Sequence, residues 1–125
     1  MDISIKKDLA GNWFKLLQNA ICDDILKIEK NKLNFQSTSW NRSNKKDEGG
    51  GEYRILKNGK IFEKVGVNYS KVYGKFPKQF QKNIPGANKD PRFWASGISI
   101  VMHMQNPHIP AMHFNTRFIL SLIHI

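Results

Sequence analysis

The pair Asn58-Gly59 constrains the fold of this chain more than any other feature of its sequence. It stands between two runs, YRILK and KIFEKVGVNYSKV, in which apolar and polar residues alternate. Alternation with period two is typical of a β-strand with one buried face, and Asn-Gly favours the tight turn of an antiparallel hairpin. The sequence therefore predicts a hairpin with a two-residue turn, and Gly66 is predicted to mark a bulge or a close backbone contact. One face of the second strand is predicted to be formed by Val65, Val67, Tyr69 and Lys71.

Two more strands are predicted near the end of the chain, on either side of QNPHIP at residues 105–110. Apolar and polar residues alternate in both flanking runs, and the prolines keep the connection out of a strand ladder. If the strands form an antiparallel pair folded about His108, opposed residue numbers sum to an even number. One face then carries polar side chains and the other is apolar and buried. The polar face is formed by Ser99, His103, His113, Asn115 and Arg117.

The remaining sequence predicts one long helix and two connecting regions. Apolar residues recur at three- and four-residue spacing between Leu9 and Lys30, which predicts an amphipathic helix capped at Asn12 or nearer Asp8. These apolar residues are Trp13, Leu16, Leu17, Ala20, Ile21, Ile25 and Ile28. A short strand is predicted at Asn34–Trp40 and a short helix at Pro77–Asn83. The fold class is therefore predicted to be α+β, with an antiparallel β-sheet flanked by helices.

The composition indicates an anionic partner inside a reducing compartment. The formal net charge is +10, and residues 91–125 contain no acidic residue. Such a balance suggests nucleic acid, an acidic membrane surface or a carboxylate-bearing ligand. The single cysteine, Cys22, is interpreted as a buried structural thiol. No run of about 18 apolar residues predicts a membrane span, and the first residues do not form a targeting peptide, so a cytoplasmic location is predicted.

The polar face of the last two strands suits a carboxylate and a proton transfer. The planar fork of Arg117 can donate two parallel hydrogen bonds to a carboxylate, and Asn115 can both donate and accept. An imidazole near neutral pH can move a proton or bind a metal. His103 and His113 are ten residues apart, which is not a recognised zinc spacing. Surface or turn roles are predicted for His108 and His124. The glycine run at residues 49–51 permits close backbone approach, but it lacks the Lys-Ser/Thr of a phosphate-binding loop.

Several motifs together resemble the oxygen-dependent coproporphyrinogen III oxidases. These motifs are GGGEYRILKNGKIFEKVGVNYSKVYG, then FWASGISIVMHMQNPHIPAMHFNTRF, with LLQNAIC similar to the family's helix. The resemblance covers residues 12–118, nearly the whole chain. It implies conversion of coproporphyrinogen III to protoporphyrinogen IX in haem biosynthesis. Two propionate groups become vinyl groups by oxidative decarboxylation, with molecular oxygen as co-substrate and no organic cofactor.

The resemblance also implies roles for particular residues. Substrate contacts fall on Ser99, Asn115, Thr116 and Arg117, and the proton donor corresponds to His113. His103 and His113 match positions described as divalent-metal ligands, and the metal requirement stays open. The family fold is a broad antiparallel sheet covered by helices, and the enzyme is a homodimer. It binds an anionic tetrapyrrole, with no nucleic acid and no membrane span expected.

The chain departs from the family pattern at two places. Glu52 and Tyr53 precede Arg54 where the family has a small or hydroxyl residue, which weakens any role carried over to Arg54. The family also continues well beyond the N-x-R motif. We therefore interpret residues 1–125 as a single partial domain, an N-terminal fragment not expected to turn over alone, with 121–125 as a non-native or truncated end. Two alternatives stay open: a basic nucleic-acid-binding module and a non-catalytic porphyrin-binding remnant.

Overall fold

The protein forms one antiparallel sheet with a long helix on one side. The computed structural model describes residues 2–30, 32–83 and 90–121. In chain order the elements are α1 (Ile3–Glu29), β1 (Gln36–Asn41), β2 (Gly49–Lys57), β3 (Phe62–Lys75), α2 (Lys78–Gln81), β4 (Arg92–Met104) and β5 (Met112–Ser121). The sheet order is β1-β2-β3-β4-β5, and every neighbouring pair is antiparallel. The predicted α+β class is confirmed.

The core lies between α1 and one face of the sheet, which we call the helix-covered face. Helix α1 packs against β3 and β4. Buried residues of the helix and of three strands meet there: Phe14, Cys22, Ile25, Leu56, Val65, Val67, Ile98 and Ile100. The opposite face, which carries the odd-numbered side chains of β4 and β5, is called the open face. The predicted face of β3 is confirmed, because Val65 and Val67 are fully buried and Tyr69 packs against the core.

Helix α1 is longer than predicted, and it buries a different stripe. It begins at Ile3 after Asp2 and ends at Glu29. The next residue, Lys30, has a left-handed backbone (φ 58°), and its N–H donates to the Leu26 carbonyl at 3.1 Å. The buried stripe consists of Gly11, Phe14, Gln18, Cys22, Ile25 and Glu29. Gln18 and Glu29 belong to it because each bonds to the backbone of the sheet or its loops.

Four residues of the predicted apolar set, Trp13, Leu16, Ala20 and Ile28, therefore lie on the outer side of α1. Trp13, Leu16 and Ile28 are 56%, 60% and 50% exposed. The apolar spacing alone could not separate the two sides, because apolar residues occur on both and polar residues occupy part of the buried stripe. No helix in the described ranges is both long enough and apolar enough to cross a membrane.

The β2–β3 connection is wider than the two-residue turn predicted from Asn58-Gly59. The loop covers residues 58–61, and Asn58 takes the left-handed conformation (φ 62°). The buried carboxylate of Glu29 accepts backbone hydrogen bonds from Lys60, Ile61 and Phe62 at 2.9, 2.9 and 2.6 Å. A two-residue turn would not present these three N–H groups to the end of α1, so the wider loop follows from this contact.

Two other local predictions have different outcomes. A Cβ added at Gly66 would meet nothing within 4 Å, so Gly66 marks no close contact, and the irregularity in the β3–β4 ladder lies between Phe62 and Lys64. The predicted short helix is confirmed as α2. The strand predicted at Asn34–Trp40 is confirmed as β1. His124 and residues 122–125 lie outside the described residues, whereas Ser121 still pairs with Phe93 in the sheet.

Candidate functional site

The register between β4 and β5 places the predicted polar side chains on the open face. Ser99 lies directly opposite Asn115, and Gly97 lies opposite Arg117. The residue numbers of each opposed pair sum to an even number, as predicted. The pair folds about Pro107 rather than His108, so Ser99 opposes Asn115 and not Arg117. The turn is set by Asn106, whose side-chain oxygen accepts the His108 N–H at 2.9 Å.

A groove of about 470 Å³ runs across the open face. Three of the predicted substrate residues line it, namely Ser99, Asn115 and Arg117. Its other polar lining residues are Trp40, Arg42, Asn68 and Ser70, and its apolar lining includes Phe76, Phe80 and Phe93. No acidic residue of the described ranges lines this groove, and two arginines do. A concave surface of this size with apolar walls and few polar groups is typical of a small-molecule site.

An aromatic cluster closes one end of the groove. The rings of Phe76 and Phe93 are stacked, with centroids 4.7 Å apart and planes 24° apart. The Arg42 guanidinium lies over the Phe93 ring, 5.1 Å from its centroid, and donates to the Tyr73 carbonyl at 2.9 Å. A guanidinium has five N–H donors, so Arg42 keeps donors for a ligand after this contact. This end of the groove therefore combines a flat apolar wall with a cation.

The two predicted histidines lie beside the groove and not in its wall. His103 and His113 are both on the open face, with ring centroids 6.2 Å apart and planes at 83°. His113 pairs across the sheet with Val101 and is two residues from Asn115 on the same strand. Side chains at i and i+2 of a strand are about 7 Å apart. The His113 imidazole is thus within reach of a ligand that extends from the groove along β5.

The two imidazoles form only part of a metal site. Among the described residues, no group of three or more His, Cys, Asp or Glu side chains is arranged to hold a metal ion. Zinc sites in proteins take at least three protein ligands. The metal role predicted for His103 and His113 therefore stays a prediction, and the donor set of the described residues does not complete it.

Thr116 is separated from the other predicted substrate residues. It alternates to the helix-covered face, where it is half-buried and opposes Ile98. Its neighbours Asn115 and Arg117 point to the open face, because successive side chains of a strand alternate. The Thr116 side chain therefore does not line the groove, unlike its two neighbours, and its predicted substrate contact stays a prediction.

Sequence reasoning missed the groove residues contributed by β1 and β3. The Trp40 indole N–H donates to the Asn68 side-chain oxygen at 3.0 Å across strand β2. Asn68 in turn lies opposite Ser99. The alternation of Gly66, Asn68 and Ser70 with buried residues was a usable signal, since it marks a second face of β3. No local signal placed Trp40, because its position depends on pairing between distant segments.

Arg54 occupies the helix-covered face and belongs to a structural cluster. Its Nε donates to the Glu52 carboxylate at 2.6 Å, and Lys15 Nζ donates to the same oxygen at 2.9 Å. Burial raises the pKa of Glu52, but the hydrogen bonds from Lys15 and Arg54 outweigh it and leave this pKa lowered. The weak expectation of a site role for Arg54 therefore gives way to an ion-pair role inside the fold.

Cys22 is the buried thiol that the sequence predicts. It is 3% exposed, and burial raises its pKa even though the Arg54 guanidinium beside it acts in the opposite direction. A raised pKa reduces the thiolate fraction, which is the reactive form. The basic neighbour comes from a distant strand and could not be read from the residues around Cys22.

Comparison with known proteins gives the family. The family model described as coproporphyrinogen III oxidase matches residues 10–122. The chain belongs to the coproporphyrinogen III oxidase family. It is 46% identical over 121 residues to the oxygen-dependent coproporphyrinogen-III oxidase of Rickettsia felis and 45% identical to that of Rickettsia akari. Each alignment covers 90% of this chain and 42% of the relative.

The coproporphyrinogen III oxidase match includes every element that builds the groove. Strands β1 to β5 and most of α1 fall within the matched residues. The chain nevertheless spans less than half the length of the curated relatives it matches. All residues that line the groove lie within the family match.

Proposed function

We propose that this chain supplies the carboxylate-binding groove of an oxygen-dependent coproporphyrinogen III oxidase. The observation that carries the proposal is the convergence of Ser99, Asn115 and Arg117 on one acid-free groove. The relatives from Rickettsia carry the name of that enzyme. Its substrate is an apolar macrocycle with propionate side chains, and the lining of the groove matches both parts. A groove without acidic side chains favours an anionic small molecule, so the basic composition does not require a nucleic-acid-binding role.

The propionate carboxylates are bound by the polar side chains of β4 and β5. Arg117 donates two parallel hydrogen bonds to one carboxylate, and Asn115 and Ser99 donate to oxygens that remain. Because Asn115 opposes Ser99 directly, both can reach one carboxylate. The side chains of Asn115 and Arg117 have no hydrogen-bond partner within the described part of the chain, so their donors are free for a ligand.

The macrocycle is bound at the aromatic end of the groove. Phe76 and Phe93 present stacked rings, and Phe80 extends the apolar wall. Burial of apolar area there contributes about 25 cal/mol per Å² to binding. The groove therefore binds a porphyrin more tightly than a small carboxylic acid that lacks the ring system. Arg42 at this end provides a second cation for a second propionate.

His113 is proposed to move the proton that the reaction releases. Oxidative decarboxylation of one propionate removes CO₂, a proton and two electrons, and molecular oxygen accepts the electrons. An imidazole within about 3 Å of the reacting group can act as an acid or as a base. His113 is exposed and next to Asn115 on the open face, which supports this assignment. No step is assigned to a metal.

The remaining features of the whole protein are proposals as well. The proposed reaction uses no organic cofactor. The longer protein is expected to form a homodimer and to be located in the cytoplasm. We expect turnover from a chain extended to the length of its relatives, whereas residues 1–125 alone are expected to bind a porphyrin without converting it. The non-catalytic porphyrin-binding alternative instead predicts no turnover at either length, and an oxygen-consumption assay on both lengths separates the two.

Arg117→Ala tests the binding role. A charged hydrogen-bonded contact contributes about 1.5–3 kcal/mol, so we expect the Kd for coproporphyrin III to rise roughly ten- to hundredfold. Fluorescence titration measures the Kd, and the coproporphyrin tetramethyl ester, which lacks carboxylates, serves as the ligand control. The ester is expected to bind Arg117→Ala and the wild type equally.

The matched control variant is Lys57→Ala. Lys57 is an exposed cation at the end of β2 and does not line the groove. Its removal changes the net charge as much as Arg117→Ala, and we expect less than a twofold change in Kd. Equal effects of both variants, or no carboxylate-dependent binding by the wild type, would refute the proposed function.

A further inference from the structure

The Asn68 side chain has a fixed orientation on the open face. The Trp40 indole Nε1 lies 3.0 Å from Asn68 Oδ1. An indole N–H can only donate, so the amide must turn its oxygen toward Trp40. The amide NH₂ group then points away from Trp40, and within the described residues it has no acceptor. Asn68 lines the groove.

Asn68 extends the row of predicted polar residues by one strand. It opposes Ser99 on β4, and Ser99 opposes Asn115 on β5. Neighbouring strands are about 4.8 Å apart, so the row crosses roughly 10 Å of the groove floor. Hydrogen-bond donors thus extend from β5 to β3, which is farther than the motif of β4 and β5 alone provides.

The glycine run explains how Trp40 reaches Asn68. Trp40 on β1 opposes Gly51 on β2. A Cβ at residue 51 would lie 2.8 Å from the Trp40 Cζ2 atom and 2.9 Å from Cε2, which is closer than atoms of folded proteins approach. The Tyr69 carbonyl of β3 and the Trp40 indole together therefore occupy the space that a side chain at residue 51 would fill, and the indole reaches across β2 to Asn68.

We propose that Asn68 is a carboxylate-binding residue of the groove and that Trp40 is its positioning residue. This inference rests on the proposed function. The Asn68 NH₂ donates to a propionate oxygen, and Trp40 keeps the amide from turning its oxygen toward that anion. Strands β1 and β3 thereby select for a carboxylate over the β3 part of the groove floor, where the polar residues predicted on β4 and β5 do not reach.

Asn68→Asp separates a ligand contact from a structural role. Aspartate has the size of asparagine and still accepts the Trp40 N–H, but it has no donor and carries a negative charge. If Asn68 only anchors Trp40, the Kd for coproporphyrin III rises only through charge repulsion, and Asn68→Asp then has no larger effect than Ser70→Asp, which adds the same charge to the groove lining. If Asn68 donates to a carboxylate, we expect the Kd to rise at least tenfold, with no change for the tetramethyl ester.

The control for an added negative charge is Gln36→Glu. Gln36 is exposed on β1, on the same face as Trp40, and does not line the groove. We expect its Kd to stay within twofold of the wild type. Thermal unfolding followed by circular dichroism confirms that each variant is folded before its Kd is compared.

Trp40→Phe tests the positioning role. The variant keeps a ring over Gly51 but loses the N–H, so the Asn68 amide is free to turn. We expect a three- to tenfold rise in Kd in the wild-type background and no further rise when Asn68 is already alanine. Additive effects of the two substitutions would refute the positioning role.

The outcomes distinguish this inference from the proposed function. If the wild type binds coproporphyrin III in preference to its ester and Arg117→Ala weakens that binding, the proposed function stands. A Kd for Asn68→Asp no higher than that for Ser70→Asp would then overturn the inference alone. If the wild type shows no preference for the carboxylate ligand, the proposed function and the inference built on it both fail.

Discussion

Gln18 and Glu52 are paired inside the fold, whereas Asn115 and Arg117 in the groove have no side-chain partner among the described residues. On the helix-covered face, the fully buried Gln18 amide donates to the carbonyls of Glu52 and Val67 at 2.9 and 3.2 Å. The Glu52 carboxylate there accepts from both Lys15 and Arg54. On the open face, the side chains of Asn115 and Arg117 have no such partners in the described residues. Unpaired donors in a concave surface are what a bound anion would satisfy.

The Glu52 cluster makes stability depend on pH in the acidic range. Hydrogen bonds hold the pKa of Glu52 below its ordinary value of 4.5 in the folded protein. A lowered pKa contributes stability above the unfolded-state pKa, and this stability is lost as the pH falls through the folded-state pKa. We expect the free energy of unfolding of the wild type to decrease below about pH 4.5.

Glu52→Gln should reduce that dependence. The variant loses the charge that Lys15 and Arg54 bond to, at a cost of about 1–2 kcal/mol near pH 7, and its stability should change less between pH 5 and pH 3. Urea unfolding at a series of pH values measures both. Identical pH profiles for wild type and variant would contradict the assignment.

The contact between the C-terminal end of α1 and the β2–β3 loop joins two elements that are distant in sequence. Glu29 is 3% exposed and accepts three backbone N–H groups of the loop. Gly59 is required beside it, because a Cβ there would lie 2.2 Å from Glu29 Oε1. The contact fixes the hairpin against the helix and so sets how the sheet packs on α1.

Glu29→Ala should therefore be strongly destabilising. It leaves buried N–H groups without an acceptor, which costs about 1–3 kcal/mol each before relaxation, and we expect a total loss of about 3 kcal/mol. Glu29→Gln keeps one oxygen and should lose less. Asp24→Asn, an exposed change on the same helix, is the control and should be neutral within about 0.5 kcal/mol in chemical denaturation. A neutral Glu29→Ala would show that the contact does not stabilise the fold.

The sequence predicted strands better than it predicted the contacts between elements. Alternation located the hairpin, the last two strands and the parity of their register, because period two is a local property. The prediction of the buried stripe of α1 was wrong in part, because Gln18 and Glu29 are buried through hydrogen bonds to distant backbone groups. Trp40 and Asn68 were missed for the same reason: the strand pairing that joins them is not visible in either local segment.

At the scale of the whole molecule, the sheet separates stability from binding. Its helix-covered face carries the core, and its open face carries the groove. Adjacent residues of one strand therefore have different roles. Ile98 is 1% exposed in the core, and Ser99 lines the groove. The same alternation removes Thr116 from the groove while keeping Asn115 and Arg117 in it.

Ile98→Ala should consequently reduce stability, whereas Ser99→Ala should weaken ligand binding. Removal of a buried isoleucine side chain costs about 2–5 kcal/mol, a large part of the stability of a small domain. Ser99→Ala should leave the unfolding midpoint nearly unchanged and raise the Kd for coproporphyrin III several-fold. Thermal unfolding and fluorescence titration of both variants give the comparison. A ligand-specific defect in Ile98→Ala with normal stability would contradict the division of the two faces.

The most direct test of the account is a crystal structure with coproporphyrin III bound, on a chain extended to the length of its relatives. We expect a propionate oxygen at about 2.7–3.2 Å from the Arg117 guanidinium, with the macrocycle against Phe76 and Phe93. A porphyrin bound away from the open face, with no carboxylate near Arg117, would contradict the account.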